Sequence, residues 1–428
     1  MSAAENKPAP AQQIRIFSLL WAAYASYYLC RLNFAVAQPA ILKDFPAWTS
    51  AQIGLIPSVY AGCYAVGQII NGTIGQKLGA RFMMTAALVF ISLINLSFSQ
   101  VSSYSAMLFL WGLNGYAQSA GWSLMVDAMA RWTSPQKRAT VVGLLSTCYQ
   151  VGNVFSWLLA GYLCQNFGWR AAFGVPSFIL LPMALLFSLY MRNSPETLRE
   201  NMEKDSNPTT GKEAEHPGLN QILAWTLANR VLWLLGISYF CLNAVRFTFL
   251  NWTIQYLTDF HGINIKGSAW IAVVIPLIGS AGAMSAGWAS DRLFRKRSAP
   301  VSTIMISGLV LTCLAFNLVP RGNWELATLF LGLSGFMIFG SDMLLAGTAG
   351  LEFSHPKATI AATGFIMCLG NVGGIFSGVG IGWLRDLAQG GWQLVFPVLS
   401  GLSLLSALLT ASLWFRKDQI NTNTTRHI

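Results

Sequence analysis

The sequence predicts an all-α membrane protein in which about twelve membrane-spanning helices form two similar six-helix halves. Three observations predict this fold class. Of the 428 residues, 54% are hydrophobic and only 10% are charged, whereas about 25% of the residues in a soluble domain are charged. Apolar stretches long enough to cross a bilayer recur along the chain. One long polar segment divides these stretches into two equal groups.

The apolar stretches can be placed to within a few residues. A helix needs roughly 20 residues to cross a hydrocarbon core of about 30 Å. The predicted spans are, in order, Ile14–Leu42, Gln52–Gly75, Phe82–Phe98, Ser105–Ala130, Ala139–Gln165, Trp169–Met191, Val231–Leu257, Gly267–Ser290, Pro300–Val319, Trp324–Gly350, Ile360–Arg385 and Trp392–Phe415. The N-terminal residues lack the pattern of a removable signal peptide, so the first span is expected to stay in the membrane.

The polar segment contains "RNSPETLRENMEKDSNPTTGKEAEHPG", which is rich in charge, Pro, Asn and Thr and is predicted to be a loop. It suggests an N-terminal six-helix bundle (residues 1–191), a central loop (residues 192–230) and a C-terminal bundle with a polar tail (residues 231–428). Lys and Arg concentrate in alternate connections. By the positive-inside rule, this places both termini and the central loop in the cytoplasm.

The formal net charge of +11 comes from Lys and Arg residues that are spread through short connections. A nucleic-acid-binding protein gathers such residues into one patch or stripe, so the predicted partner is the lipid bilayer and not a nucleic acid. The sequence has no HExxH, P-loop or CxxC motif and no nucleophile with a partnered base. We therefore predict neither an enzyme nor a bound metal or cofactor.

Two connections repeat one another. "GTIGQKLGAR" follows span two and "GWASDRLFRK" follows span eight; each opens with Gly and closes with cations at the same offset. One such loop alone is equally well explained as a positive-inside anchor. Its recurrence predicts duplicated halves, a common transporter architecture with the substrate site near the midplane. The predicted conformational loop residues are Gly72, Arg81, Gly287, Asp291 and Arg292.

Span eleven carries glycines at four-residue spacing. Gly370, Gly374, Gly378 and Gly382 fall on one face of a helix. Small residues at this spacing favour close packing of neighbouring helices. We therefore predict a packing role for them and no binding role.

Arg31 and Arg246 lie near the centres of spans one and seven, which hold equivalent places in the two halves. A charge at this depth is costly, by roughly 2.5 to 3.5 kcal/mol on insertion scales, and usually serves a function. Pseudo-two-fold symmetry would bring both guanidinium groups toward one cavity. Arg fits a carboxylate or phosphate in bidentate fashion, so the predicted ligand is a dianion. Alternatively, each Arg pairs with a carboxylate and only holds helices together.

Asp127 in span four and Asp342 in span ten are carboxylates that suit this alternative. Either side chain can neutralise an arginine, bind a cationic part of the substrate or carry a coupled proton. Asp127 lies near a helix end, where a loop role is equally compatible with the sequence. Tyr24 and Tyr28, at i and i+4, share a helix face near Arg31 and are candidates to hydrogen-bond substrate oxygens.

These residues resemble the organophosphate:phosphate antiporter branch of the major facilitator superfamily. The likeness covers nearly the whole chain and is clearest in "YASYYLCRLNFAVAQPAIL", "RWTSPQKRATVVGLLSTCYQVGN" and "VRFTFLNWTIQYL". The resemblance implies the major facilitator fold and a phosphate clamp made by Arg31 and Arg246, with Tyr24 and Tyr28 beside it.

The chain departs from that branch at several implied binding positions. Gln68 stands where many members carry Lys, Tyr149 aligns with a His of the glycerol-3-phosphate carriers, and Asn251 replaces an Asp. Asp127 and Asp342 fall where the branch is expected to have a cation and an uncharged residue. The anion clamp therefore persists in an altered surrounding.

The leading hypothesis is a monomeric secondary transporter in a bacterial inner membrane. It moves a small phosphorylated or otherwise anionic metabolite by alternating access, in exchange for inorganic phosphate. A second hypothesis is proton-coupled symport of an organic anion or an aminophosphonate, in which Asp342 or Asp127 takes the proton or the substrate ammonium. A third is a membrane sensor of a sugar phosphate.

Overall fold

The computed structural model describes residues 10–134, 137–194, 219–294, 297–348, 352–354 and 358–415. All regular secondary structure in these ranges is helical, which confirms the predicted fold class. The helices are α1 (Pro10–Leu29), α2 (Asn33–Asp44), α3 (Ser50–Gln100), α4 (Tyr104–Gln118), α5 (Trp122–Trp132), α6 (Arg138–Leu145), α7 (Thr147–Phe167), α8 (Ala171–Tyr190), α9 (Leu219–Leu227), α10 (Arg230–His261), α11 (Ile265–Ala272), α12 (Val274–Arg292), α13 (Ser298–Phe316), α14 (Trp324–Met343), α15 (Thr359–Leu387) and α16 (Val395–Ala411). A π-helical turn, Leu344–Thr348, continues α14.

Within the described residues, 8 segments are long and apolar enough to cross a membrane. They coincide with predicted spans two, three and six to eleven. These segments are Ser50–Gly72, Lys77–Gln100, Ala171–Tyr190, Arg230–His261, Ile265–Arg292, Ser298–Phe316, Trp324–Gly347 and Ala361–Leu387. The other predicted spans are interrupted helices or, for α16, an apolar helix of 17 residues. The chain is therefore a multi-pass membrane protein.

The prediction of one continuous helix from Ile14 to Leu42 is wrong. α1 ends at Leu29 and α2 begins at Asn33, with a turn between them that contains Arg31. No Pro or Gly marks this position in the sequence. The turn is stabilised instead by side chains from α4, which are distant along the chain. Predicted spans four and five are divided as well, at residues 119–121 and at Ser146.

α3 contains two spans that meet at a glycine. Gly79 has φ 79° and ψ 157°, a backbone conformation that other residues rarely adopt. The chain changes direction there, so Ser50–Gln100 consists of two helical segments joined at a kink. The helix therefore supplies both predicted span two and predicted span three.

The central segment is more structured than predicted. Residues 195–218 of the predicted loop lie outside the described residues, as do residues 416–428 of the predicted tail. The remainder includes α9, so the prediction that residues 192–230 are entirely loop is wrong for its last part. The physical reason is composition, because "LNQILAWTL" is largely apolar, unlike the polar stretch before it. Asn229 then caps α10 by accepting a hydrogen bond from the Val231 N–H at 3.0 Å.

The chain divides into two compact units. The first comprises residues 1–34, 63–163 and 167–216, and the second comprises residues 35–62, 164–166 and 217–428. The core of the first unit includes fully buried side chains from α1, α3 and α8, among them Leu20, Met84 and Phe187. The division into bundles at residues 1–191 and 231–428 stays a prediction.

In the second unit, α15 packs closely on α10 and on the first turns of α3. A Cβ at Gly370 would meet Tyr239 and Asn243, and one at Gly374 would lie 3.0 Å from the Phe247 ring. A Cβ at Gly378 would overlap the backbone of Gly54, and one at Gly382 that of Ser50. The predicted packing role of these four glycines is confirmed.

Two adjacent charged residues near the end of α15 hold this packing in place. The Asp386 carboxylate accepts hydrogen bonds from the N–H groups of Ser50 at 2.7 Å and Ala51 at 2.8 Å. These donors have no partner within a helix, and a helix N-terminus favours negative charge. The neighbouring Arg385, 4% exposed, pairs with Asp259 of α10 at 2.8 Å. One end of α15 therefore anchors both α3 and α10.

Candidate functional site

The turn between α1 and α2 is held by two amide side chains of α4. Asn114 donates to the Cys30 carbonyl at 2.8 Å, and Gln118 donates to the carbonyls of Tyr27 at 3.2 Å and Cys30 at 3.0 Å. An interruption in a membrane helix exposes carbonyls that cannot be left without partners in an apolar surrounding. Both amide side chains are almost fully buried. The break that carries Arg31 is thus built into the packing of the first unit.

Arg31 lies against aromatic rings. Its guanidinium carbon is 5.1 Å from the centre of the Tyr28 ring and 4.9 Å from that of Tyr64. A cation within about 6 Å of a ring centre is attracted by the electrons of the ring face. Tyr28 comes from α1 and Tyr64 from α3, so two helices position this guanidinium.

Tyr28 also belongs to an aromatic cluster, which consists of Tyr24, Tyr28, Trp122 and Tyr149. Tyr24 packs on Tyr28 and on Trp122, with 5.7 Å between ring centres in each case. Tyr149 of α7 lies 6.5 Å from Tyr28 and 6.2 Å from Trp122. The structure thus brings together three residues predicted from the sequence, Tyr24, Tyr28 and Tyr149. Trp122 also belongs to this aromatic cluster, although it was not predicted from the sequence.

Gln68 and Asp127 are the other two accessory residues predicted in the first unit. Gln68 is half-buried in α3, one helical turn beyond Tyr64. Asp127 of α5 forms an ion pair with Arg131 at 2.9 Å, and the side chains are 50% and 42% exposed. Asp127 thus has a partner on its own helix, at i+4.

In the second unit, Arg246 of α10 is paired with Asp342 of α14. The Arg246 Nη1 atom donates to the Asp342 Oδ1 atom at 2.8 Å, and the side chains are only 20% and 18% exposed. The Tyr239 hydroxyl donates to the same Oδ1 atom at 3.0 Å. Asn243 accepts a longer hydrogen bond from Arg246 at 3.4 Å. Arg246 therefore makes the carboxylate pairing that the alternative interpretation requires.

Aromatic rings also flank Arg246. The centres of the Phe247 and Phe339 rings lie 5.4 Å and 5.3 Å from its guanidinium carbon. Apolar rings keep water away and so strengthen the attraction between the paired charges. Asn251, the other predicted residue here, is half-buried in α10 and lies five residues after Arg246.

The residues before each arginine repeat the same spacing, and we call each such set of three residues an arginine frame. Tyr24, Tyr28 and Arg31 have the spacing i, i+4 and i+7, and Tyr239, Asn243 and Arg246 have the same spacing. The partners from span four and span ten also match, because Trp122 and Asp342 each lie seven residues after a glycine, Gly115 and Gly335. Trp122 contacts Tyr24, and Asp342 contacts Tyr239.

The spacing is the signal by which the missed residues Tyr239 and Asn243 could have been found. Both lie on the helix face of Arg246, within an apolar helix. Tyr64 and Trp122 have no comparable signal. Their contacts with the site depend on how separate helices pack.

The five predicted loop residues lie within helices or at their ends. Gly72 is inside α3, seven residues before the kink, and Gly287 is inside α12, so the predicted connections begin in helical backbone. Arg81 follows the kink in α3, where its N–H donates to the Asn193 side chain at 2.8 Å and its Nε donates to the Ser188 carbonyl at 2.7 Å. Asp291 and Arg292 end α12 and are exposed. Gly72 has open space where a Cβ would lie, whereas a Cβ at Gly287 would lie 3.3 Å from Met343. Within the described ranges, no three His, Cys, Asp or Glu residues group as metal ligands do.

Comparison with known proteins identifies the family to which the chain belongs. A family model described as the Major Facilitator Superfamily matches residues 20–378. The chain is 27% identical over 423 residues to a probable hexose phosphate transport protein of Chlamydia muridarum, covering 95% of this chain and 92% of that protein. It is 27% identical over 400 residues to the membrane sensor protein UhpC of Salmonella typhimurium, covering 92% and 90%.

A glycerol-3-phosphate transporter of Bacillus subtilis is 25% identical over 416 residues and covers 94% of this chain and 92% of its own length. Among solved structures, a bacterial homologue of the human lysosomal transporter Spinster matches with a TM-score of 0.78 at 13% identity. That match covers 96% of this chain and 98% of the solved chain. At this identity the structural match shows the fold alone.

Proposed function

We propose a substrate class for this chain, which belongs to the Major Facilitator Superfamily and is a transporter of that family, not an enzyme. The proposed substrate is a small phosphorylated or otherwise anionic metabolite, which the protein moves across the membrane by alternating access. Inorganic phosphate is the proposed counter-substrate. The relatives named as hexose phosphate and glycerol-3-phosphate transporters support this substrate class.

The observation that carries the proposal is the matched pair of arginines. Arg31 and Arg246 occupy the same place in the two repeated frames, and each lies in or beside an apolar helix where a charge is costly. Guanidinium groups bind phosphate oxygens through two parallel N–H donors, with geometric specificity. We propose that both arginines contribute to binding the anion. Tyr24, Tyr28, Gln68, Tyr149 and Asn251 are the proposed accessory binding residues.

The proposed exchange requires that the protein reorients readily only in the loaded state, in which an anion bound by the two arginines favours the closed site. The test is uptake of labelled phosphate into proteoliposomes loaded with or without unlabelled phosphate. We expect rapid uptake only with internal phosphate. Equal uptake in both preparations would exclude obligate exchange.

The Arg246–Asp342 pair favours a second candidate function, proton-coupled symport of an organic anion. An anion that takes Arg246 from Asp342 would leave this carboxylate without its cationic partner, and a coupled proton is the proposed replacement. The Asp342→Asn variant distinguishes the two functions, because symport predicts the loss of pH-dependent accumulation, whereas exchange predicts that counterflow persists.

The likeness to a protein named as a membrane sensor supports a third candidate, the sensing of an external phosphorylated metabolite. Proteoliposomes test this directly, because a sensor that does not transport would bind phosphate without any uptake. For the arrangement in the cell, we propose a monomer in a bacterial inner membrane, with both termini in the cytoplasm.

A further inference from the structure

We propose that the Arg246–Asp342 pair is a subsite for a zwitterionic substrate, in which an ammonium group lies a few bonds from the phosphoryl or phosphonyl group. The inference rests on the proposed function, because it requires Arg246 to bind the anionic group. It adds a direct role for Asp342 as the ligand of the ammonium group.

The geometry makes Asp342 available to a further donor. Its carboxylate receives Nη1 of Arg246 and the hydroxyl of Tyr239, and both of these bonds go to Oδ1. Within the described residues, Oδ2 receives no hydrogen bond. The Asp342 side chain is 18% exposed, although its chain neighbour Ser341 and the nearby Phe339 are buried. The carboxylate is thus held in one orientation with one oxygen available to a substrate.

The charge balance of the pair favours a substrate that carries a positive charge beside its anionic group. A guanidinium 2.8 Å from a carboxylate forms a neutral pair, not a cationic site. A phosphomonoester carries a charge of about −1.5 to −2 at pH 7. An anion that reaches Arg246 also approaches Asp342, and like charges in a partly buried site repel one another. A second positive charge beside Asp342 would offset this repulsion and so strengthen binding.

An ammonium group on the substrate supplies that charge. The four groups then alternate in sign, from ammonium to Asp342, to Arg246, to the phosphoryl group. A proton would serve the same purpose, but the second phosphate pKa is about 6, so few phosphomonoester molecules carry it at pH 7. An alkylammonium group, with a pKa near 10, is already charged. At pH 7 an ammonium group is therefore a more available source of positive charge than a proton on the phosphate.

The repeated frame shows that the fold does not require this carboxylate. The matching position in the first unit is Trp122, which packs on Tyr24, the counterpart of Tyr239. Of the two frames, the second has a carboxylate where the first has an indole ring. An acidic side chain here would be costly in a membrane helix unless it had a partner or a function.

The test compares two ligands that differ in the ammonium group alone. O-phosphoethanolamine and ethyl phosphate are titrated against the full-length protein in detergent at pH 7, with inorganic phosphate as the reference anion. We expect wild type to bind O-phosphoethanolamine at least about tenfold more tightly than ethyl phosphate, equivalent to about 1.4 kcal/mol. In Asp342→Asn, this preference should disappear.

Two further variants keep the test interpretable. Glu325→Gln removes an exposed carboxylate from the same helix and should leave the preference intact. Asp342→Glu keeps the charge and should retain part of the preference, which guards against misfolding of the Asn variant. Loss of the preference in both Asp342→Glu and Glu325→Gln would overturn the assignment to Asp342.

The possible failures are distinguishable. If ethyl phosphate binds wild type as tightly as O-phosphoethanolamine does, the zwitterion proposal is wrong while the proposed function stands. If ethyl phosphate gains equal affinity near pH 5.5 and loses it in Asp342→Asn, a proton occupies the subsite, and the ammonium proposal is overturned. If neither ligand nor inorganic phosphate binds, the proposed function itself fails.

Discussion

The two arginine frames share a spacing but differ in what surrounds the charge. In the first unit, Arg31 lies at a helix break and against the rings of Tyr28 and Tyr64. In the second unit, α10 continues unbroken through Arg246, which pairs with Asp342. The position of the charge is thus the same in the two units, whereas its partners differ.

The scaffold difference can be traced to one position in each unit. Gln118, which donates to the carbonyls of the break, lies three residues after Gly115. Ile338 lies three residues after Gly335, at the matching place. An isoleucine side chain has no hydrogen-bond donor, and α10 has no break at Arg246 that would require one. The break and its amide donor therefore occur together.

We expect the largest loss of stability from Arg246→Ala, because this variant leaves the Asp342 carboxylate without its ion-pair partner. Removing one partner of a buried ion pair costs about 3–5 kcal/mol, and the lower end applies here because the side chains are about one fifth exposed. The second substitution in Arg246→Ala/Asp342→Ala should restore most of the thermal stability in detergent. Asp342→Ala should give no such rescue to Arg31→Ala. If Asp342→Ala rescued both arginine variants equally, Asp342 would not be the specific partner of Arg246.

The next effect concerns the helix break. Gln118→Leu removes one hydrogen bond from each of two carbonyls, although the Cys30 carbonyl keeps its bond from Asn114. We expect the loss of both bonds to lower the free energy of unfolding by about 1–3 kcal/mol. Thermal unfolding in detergent measures this loss. Gln100→Leu, at the exposed end of α3, serves as the control and should change stability little. A Gln118→Leu variant as stable as wild type would mean that the amide does not support the turn.

A smaller effect is expected from Tyr239→Phe, which removes the hydroxyl that donates to Asp342. A hydrogen bond to a charged group contributes about 1.5–3 kcal/mol when buried, and partial exposure should reduce this to about 1 kcal/mol. The variant should also weaken the preference for O-phosphoethanolamine. The matched variant is Tyr24→Phe, whose ring packs on Trp122 and should keep that preference. Identical preferences in the two variants would show that the hydroxyl does not orient Asp342.

The smallest effect is expected from Asp127→Asn. The Asp127–Arg131 pair is about half exposed and lies at i, i+4 on one helix. Such pairs contribute about 0.3–0.5 kcal/mol, an effect that salt screens. Thermal unfolding at low and high salt should show a small difference that vanishes at high salt. Loss of phosphate exchange in this variant would instead restore Asp127 as a coupling residue.

The fold was predictable because the hydropathy of the sequence directly indicates which segments can cross a membrane. Eight predicted spans coincide with long apolar helical segments, since each must bury about 20 residues in lipid whatever it packs against. The break at Arg31 was not predictable, because its donors, Asn114 and Gln118, lie more than 80 residues away along the chain. Helix ends set by local composition can be read from sequence, whereas those set by tertiary hydrogen bonds cannot.

The candidate site shows the same contrast. The sequence singled out Arg31, Arg246 and Asp342 because charges stand out in apolar spans. It could not choose between Asp127 and Asp342 as the partner of an arginine, because both lie in equivalent spans. The structure pairs Asp342 with Arg246 across two helices and Asp127 with Arg131 on its own helix. Partner choice depends on helix rotation, which hydropathy does not report.

We propose that both arginines bind the anion, and the affinity for inorganic phosphate distinguishes this role from a structural one. The dissociation constant is measured for wild type, Arg31→Lys and Arg246→Lys, which keep the charge but lose the planar fork of donors. We expect each substitution to weaken binding at least about tenfold, equivalent to about 1.4 kcal/mol. Near-wild-type affinity in both variants would contradict the claim and leave the arginines as structural residues.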